Sequence, residues 1–458
     1  MRESPPLMPR CFFAALSGVF YALAFPPVKG SWLILPGIMG LLLAVRGLRG
    51  RQAFVVGFLH GMVAFGLGLT WLWHIFGAGA ILLWAILALF PGAFAVAQGR
   101  AVGLGLRGWQ LAVFTMVNWA AWEFIRAELF PLRFPWMTAG LALGPNALLP
   151  RVGVYGAGAC LVLGAAFLLG RRWFPGLTTL GALATLTFVQ RPVPVPDKNG
   201  PQSIRVAAIQ GEDISLSDLI QATRELPKEI QHVVWPEHAL SYDVRAHAAE
   251  WKLLTTFCKE EDITLTLGTH TQLNKEEGWY NTALTLDGLG VRGEHHKVHP
   301  VHLFDDGVPG KTSLPVPTRK GNVGTPVCFD CDFADVARRM TAASAETIMV
   351  PSMDAARWGT WQHLQHAELF RIRAAENARW MLVAASSGVS QIIDPNGHVH
   401  ASLAPMQQGV LTGVLQRSTK QTFYTRFGWL APWFMLGAAA VWWIALLLPG
   451  AAAKKSGT

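Results

Sequence analysis

The stretch Phe427–Pro449 reads FGWLAPWFMLGAAAVWWIALLLP, 23 residues without a charged side chain. A bilayer core about 30 Å thick is crossed by about 20 apolar residues in helical form, so this segment predicts a membrane span. Working back towards the N-terminus, the polarity changes abruptly. Of the 29 acidic residues only Glu3, Glu123 and Glu128 lie in positions 1–190, and none lies after 416. The first 190 residues are net +10, residues 191–416 net −6 and the last 42 net +5. The overall +9 therefore describes no region of the chain. A nucleic-acid binder would gather its basic residues on a folded polar domain, whereas here the polar domain is the acidic part. With 52% hydrophobic and only 15% charged residues, the chain reads as an integral membrane protein carrying one water-exposed insertion.

Seven further apolar runs precede the insertion, near 11–27, 31–46, 53–76, 80–98, 110–126, 152–170 and 174–190. The first follows Arg2 and Arg10 as a signal peptide would. It runs into Pro26-Pro27 and a second span with no clear small-residue cleavage site, so it reads as a retained helix. Cytoplasmic loops are enriched in Lys and Arg. With the N-terminus inside, that side holds Arg2, Arg10, Arg46, Arg49, Arg51, Arg100, Arg107, Arg171, Arg172, Lys454 and Lys455, against Glu3 alone. The opposite loops hold Lys29, Arg126, Arg133, Arg151 and Glu128. Eight spans then put both termini in the cytoplasm and the insertion outside it. The expected organisation is a seven-helix region over 1–190, a stiff Pro-rich linker over 191–203, a soluble domain over 204–420 and a last helix over 427–449.

Within the insertion, short β-rich runs alternate with helical patterns. Strands are expected at 204–210, 232–240, 264–270, 280–287, 291–299, 322–330, 347–353 and 380–387. Helices are expected from about Leu216, over 244–259, after Asp330, and from about Thr360 to Ala378. Such alternation with some direct strand–strand links suggests an α/β sandwich of mixed sheets. Glu237 (WPEHAL), Lys297 (EHHKVHP) and Cys328 (TPVCFD) each fall at a strand end, where they could converge on one cleft. There a carboxylate could take a thiol proton, the cysteine could attack an acyl carbonyl, and the ammonium with a backbone N–H could stabilise the oxyanion. A helix just after Cys328 would favour its thiolate.

These residues are the ones on which a resemblance rests. The insertion resembles the nitrilase superfamily of carbon–nitrogen hydrolases, whose triad is Glu, Lys and Cys in that order. The whole chain, from about Gly18 to Trp429, is similar to the apolipoprotein N-acyltransferase family. GVFYALAFPP (18–27), NWAAWEFIR (118–126) and FPW (134–136) carry the likeness in the membrane part. VAAIQG, WPEHAL, YNTAL, HHKVH, PVCFD, TWQHLQHAELFRIRAAEN and TFYTRFG carry it in the insertion.

The resemblance implies a membrane α-helical bundle with an extracytoplasmic αββα nitrilase-like domain, in the bacterial inner membrane with the catalytic domain periplasmic. It implies a phospholipid-dependent acyltransferase that acylates the α-amino group of a diacylglyceryl-cysteine on apolipoproteins, through a cysteine thioester and without a cofactor or metal. Its partners would be a phospholipid acyl donor, the apolipoprotein acceptor and the bilayer, with no nucleic acid, and the chain is expected to be a monomer. Glu237 would be the base, Lys297 the oxyanion cation, Cys328 the nucleophile, and Phe329 would lend its N–H.

Where the family usually has Tyr-Glu after the nucleophile this chain has Phe329-Asp330. Asp305 or Asp306 stands near the place of a further family Glu, and Asp354 aligns in MDAARWG. Trp136, Trp235, Trp358 and His363 are candidate substrate contacts. A membrane-tethered amidase or other hydrolase, and a lipoprotein-binding homologue without activity, are the alternatives. The histidines around Lys297 (His295, His296, His299, His302) lack a completing ligand pattern for a metal, and Cys328-Phe329-Asp330-Cys331 is a C-x-x-C without thioredoxin-like context.

Overall fold

In the computed structural model, residues 7–273 and 278–448 are described; Arg2, Glu3, Lys454 and Lys455 lie outside them. Contacts divide the chain into Met1–Val189 with Phe427–Thr458, and Gln190–Arg426.

The first unit is helical. Its helices are α1 (Leu7–Leu23), α2 (Ile34–Ala44), α3 (Gly50–Gly68), α4 (Trp71–Phe76), α5 (Gly79–Gly103), α6 (Gly108–Phe124), α7 (Leu149–Leu169) and α8 (Trp173–Phe188), with a C-terminal helix at Ala431–Leu447. Among the described residues, three stretches, Gly79–Gly103, Leu149–Leu169 and Gly428–Leu447, are long and apolar enough to cross a bilayer. The run 53–76, expected as one helix, is two. Leu69 leaves helical geometry (φ −120°, ψ 39°), and its carbonyl accepts the Trp84 indole N–H at 3.2 Å. A broken helix among apolar neighbours is tolerated when a side chain satisfies the released backbone group.

Glu123 and Arg126, one turn apart, serve the same need in the loop 134–139. Arg126 donates to the carbonyls of Phe134 (2.7 Å) and Trp136 (2.9 Å), while Glu123 accepts from the Ala139 N–H (2.7 Å) and from Tyr21 (3.3 Å). The pair thereby clamps non-helical backbone. Trp136 is buried in this unit against Trp71 and Phe134, ring centroids 4.8 and 5.7 Å away.

The second unit holds two six-stranded sheets. One runs β12-β1-β2-β3-β4-β5 and the other β11-β10-β9-β8-β7-β6. The strands of the first are β1 (Ser203–Gln210), β2 (His232–Val234), β3 (Thr264–Gln272), β4 (Trp279–Asp287), β5 (Gly290–His296) and β12 (Gly409–Gln416). Those of the second are β6 (Val316–Thr318), β7 (Gly321–Gly324), β8 (Thr347–Ser352), β9 (Met381–Ala385), β10 (Gln391–Ile393) and β11 (Val399–Ser402).

Strand β1 shows why both sheet faces are apolar. Val206 and Ala208 meet Met349 and Leu382 of the other sheet, whereas Ala207 and Ile209 join the core that includes Leu219 of α9 (Leu216–Arg224) and Phe257 of α10 (Ala248–Glu260). On the far side, Val350 and Val383 pack under Ala337 of α11 (Val336–Ala342) and Phe370 of α12 (Thr360–Asn377). The layers are helix, sheet, sheet, helix.

Three expected elements are shorter than their patterns suggested. The strand 232–240 stops at Val234, because Pro236 has no N–H to extend the ladder. The helix over 244–259 is a 3₁₀ turn (Val244–Ala246) followed by α10. The strand 322–330 ends at Gly324, and no α-helix begins directly after Cys328; a 3₁₀ turn spans Cys328–Cys331 and α11 starts at Val336.

Candidate active site

The early end of β2 frees Glu237 from the sheet. Its main chain lies hard against Gly268 of β3, where a Cβ would stand 2.4 Å from the Glu237 Cα, and His238 follows with φ 55°. The carboxylate is buried and fully engaged. Oε1 accepts from Lys297 Nζ (2.8 Å) and Asn281 Nδ2 (2.7 Å), and Oε2 accepts from the Met353 backbone N–H (2.8 Å).

Lys297 follows β5 directly, held by backbone bonds to Asn281 (2.8 Å) and Gly310 (2.7 Å). Its Nζ also lies 2.7 Å from Asp306 Oδ2. Burial would lower the ammonium pKa, but Asp306 and Glu237 outweigh it and hold the group well above its ordinary value. Asp306 in turn is kept below the usual carboxylate range by Lys297 despite its own burial.

Cys328 sits at φ 47° at the head of its 3₁₀ turn, 4% exposed. Its Sγ donates to the Met353 carbonyl at 3.4 Å. Met353 thus presents its carbonyl to the cysteine and its N–H to Glu237, which brings together residues far apart in sequence. Burial, then the Glu237 charge, push the thiol well above its ordinary pKa, with Lys297 opposing. The expectation of a thiolate favoured by a helix N-terminus is corrected on both counts: no α-helix starts at the thiol, and burial keeps it protonated.

Two buried carboxylates organise the surroundings. Asp330 accepts from the backbone N–H groups of Val327 (3.0 Å), Val298 and His299 (2.9 Å each) and meets His295 Nε2 at 2.8 Å. It therefore ties the nucleophile's turn to the lysine segment. Asp354, beside Met353, accepts from Gln362 (2.8 Å) and meets His366 Nδ1 at 2.7 Å; the other nitrogen of His366 lies 3.1 Å from Asp332 Oδ1. Although burial opposes it, Asp354 and Asp332 raise His366 to about 10. Nothing in the sequence around His366 or Asp332 marks either residue, because their pairing is a contact between α12 and the turn after Cys328, for which no local pattern exists.

Of the two candidate aspartates, Asp306 faces Lys297 and Asp305 is exposed. Phe329 follows the nucleophile with its ring edge-on to Phe333 at 5.1 Å. Trp358 is buried 5.7 Å from the Phe304 ring. Trp235 is displaced from the role expected for it. It lies in the core shared with α9 and α10, its indole N–H on Thr223 Oγ1 at 3.0 Å, because its side chain falls on the helix-covered face of the sheet. His363 is likewise buried, its Nε2 3.2 Å from the Ala355 carbonyl. Cys331 packs under α12 in a different core cluster from Cys328, and both thiols are free.

His238 is a further member. Its Nδ1 lies 3.2 Å from His270 Nε2, and its Nε2 lies 3.7 Å from Asp306 and 3.9 Å from Glu237. The His270 ring stacks on Trp279 at 3.7 Å, and burial with neighbouring His238 lowers its pKa to about 4. Glu237, His238 and Asp306 could in principle surround a cation, but the Lys297 ammonium already lies on both carboxylates.

This arrangement of two sheets belongs with a recognised class. Residues 205–424 match the carbon-nitrogen hydrolase family, and a Saccharomyces cerevisiae member of branch 10 of the nitrilase superfamily aligns over 49% of this chain and 93% of its own (21% identity, TM-score 0.41). Residues 17–167 match the apolipoprotein N-acyltransferase N-terminal domain. Curated relatives named apolipoprotein N-acyltransferase include those of Geobacter metallireducens (26% identity, 93% of each chain) and Nitrosomonas europaea (27%, 92% of this chain and 93% of the relative). The chain belongs to the apolipoprotein N-acyltransferase family, within the nitrilase superfamily.

Proposed function

We propose that this chain N-acylates apolipoproteins by a ping-pong mechanism with Glu237, Lys297 and Cys328 as its catalytic triad. The observation that carries the site assignment is the Met353 peptide, hydrogen-bonded to Cys328 on one side and Glu237 on the other. A protonated thiol needs a base at the moment of attack, and Glu237 takes that proton as sulfur adds to the ester carbonyl of a phospholipid. The tetrahedral oxyanion draws on Lys297 and the Phe329 N–H. Its collapse returns the proton to the departing lysophospholipid oxygen and leaves a thioester.

In the second half-reaction the α-amino group of a diacylglyceryl-cysteine attacks that thioester. The N–C bond forms, the C–S bond breaks and Cys328 regains its proton. Thioester to amide is downhill, so neither nucleotide nor metal is called for. An α-amine has an ordinary pKa near 8 and arrives mostly as an ammonium at neutral pH. Its acylation releases one proton, which the first half-reaction does not. The His238–His270 pair beside Glu237 and Asp306 carries that proton away.

Both substrates are anchored in lipid, which suits a chain whose helical unit forms eight spans of the inner membrane. In this reading both termini are cytoplasmic and the second unit is periplasmic, as the distribution of Lys and Arg suggests. The test uses the full-length protein in detergent with phosphatidylethanolamine. Mass spectrometry should find one acyl group on the Cys328 peptide, discharged by a diacylated lipopeptide to the N-acyl product. Discharge to free fatty acid with the lipopeptide present would make the protein a hydrolase. Full transfer by Cys328→Ser, or its loss in Cys331→Ser alone, would overturn the assignment of the nucleophile.

A further inference from the structure

A second feature lies wholly within the helical unit. The C-terminal turns of α2, α5 and α7 and the first turns of α6 surround a cavity of about 480 Å³, far beyond the roughly 30 Å³ that one water takes in the liquid. Its wall is largely apolar, including Leu42, Val102, Leu111 and Ala166, and two arginines, Arg46 and Arg107, also line it.

Charge at this end of the unit is one-sided. Residues 4–122 and 152–190 contain no Asp or Glu. Of the other arginines at this end, Arg10 donates to the carbonyls of Ala44 (2.9 Å) and Arg46 (2.6 Å) and Arg100 to the Leu446 carbonyl, while the guanidinium of Arg172 stands beside Gly108 in the cavity wall. Arg46 and Arg107 are exposed.

One buried group in the wall has an unmet requirement. Gln98 is 7% exposed and donates through Nε2 to Thr115 Oγ1 at 2.8 Å. The Thr115 hydroxyl hydrogen goes to the Leu111 carbonyl (2.7 Å), so Thr115 can only accept from Gln98. That fixes the amide and leaves Oε1 a buried acceptor without a protein partner, closed off from the open space of the cavity.

We propose that this cavity binds an anionic phospholipid. The phosphate lies against Arg46 and Arg107, and an acyl chain covers the apolar part of the wall. Basic pockets between membrane helices bind anionic headgroups by the same combination of charge and apolar contact. The site is separate from the triad and does not depend on the acyl-transfer reading.

The experiment is native mass spectrometry of the full-length protein with equimolar phosphatidylglycerol and phosphatidylethanolamine. Phosphatidylglycerol should be retained about tenfold or more over phosphatidylethanolamine. R46Q/R107Q should bring the two lipids level, and Ala166→Phe, which fills the cavity without changing charge, should cut phosphatidylglycerol retention at least tenfold. Monodisperse elution and an unchanged helical circular dichroism signal establish that the variants fold. Equal retention of the two lipids by the unaltered protein, or a preference that survives both variants, would overturn the proposal.

Discussion

At the scale of single residues, the chemistry turns on keeping charges paired in a dry place. Lys297 is buried between Asp306 and Glu237, and losing one member of such a group leaves an uncompensated charge. Lys297→Met should therefore lower the rate of thioester formation by about 10²- to 10³-fold, the order seen when an oxyanion donor is removed, as measured by single-turnover acylation. His238→Gln should act on the second half-reaction only. Aminolysis at pH 6.5 should slow about tenfold, and the defect should fade by pH 9, where the amine arrives unprotonated and no proton need leave. Equal loss in both half-reactions would make His238 merely structural.

His366 supplies a stability prediction. Its folded pKa, about 10, lies above the ordinary 6.5. Its contribution is therefore complete below pH 6.5 and is lost as pH rises through 10. His366→Gln should lower the melting temperature at pH 6, by a buried-pair loss on the order of 3 kcal/mol, with the gap to the unaltered protein closing towards pH 10.

At the scale of elements, the site is made by strands that stop early. β2 ends at Val234 and β7 at Gly324, and the residues beyond them turn out of the sheets to meet. The β-rich pattern located both runs but overstated their length, since Trp235, Ala239 and Leu240 continue the apolar run past β2 and Val327, Cys328 and Phe329 do so past β7. Their departure is set by Pro236, by the left-handed backbone at His238 and Cys328, and by the approach to Gly268. A side chain at Gly268 has no room beside the Glu237 Cα. Gly268→Ala should cost at least tenfold in acyl transfer, whereas Gly181→Ala, at an exposed position of α8 with open space around it, should leave the rate within twofold, both read by the lipopeptide assay.

At the scale of the whole molecule, the charge of +10, −6 and +5 along the chain bears on orientation. Leu289, at an exposed turn of the second unit, should, as Leu289→Cys, react with a membrane-impermeant maleimide in intact spheroplasts. Labelling only after lysis would reverse the proposed topology.

The α/β insertion, its bounding apolar runs and the ordered Glu237, Lys297 and Cys328 were legible without coordinates, because hydropathy, charge and chain order are properties of neighbouring residues. Tertiary structure decided what depends on distant partners. It selected Asp306 over Asp305, placed Trp235 in the core beneath α9 and α10, and kept the thiol protonated where a helix terminus had suggested a thiolate. It also joined Cys328 to Glu237 through Met353, which is 116 positions from Glu237. Desolvation and contact geometry are set by what folds over a residue, and no stretch of sequence around that residue contains them.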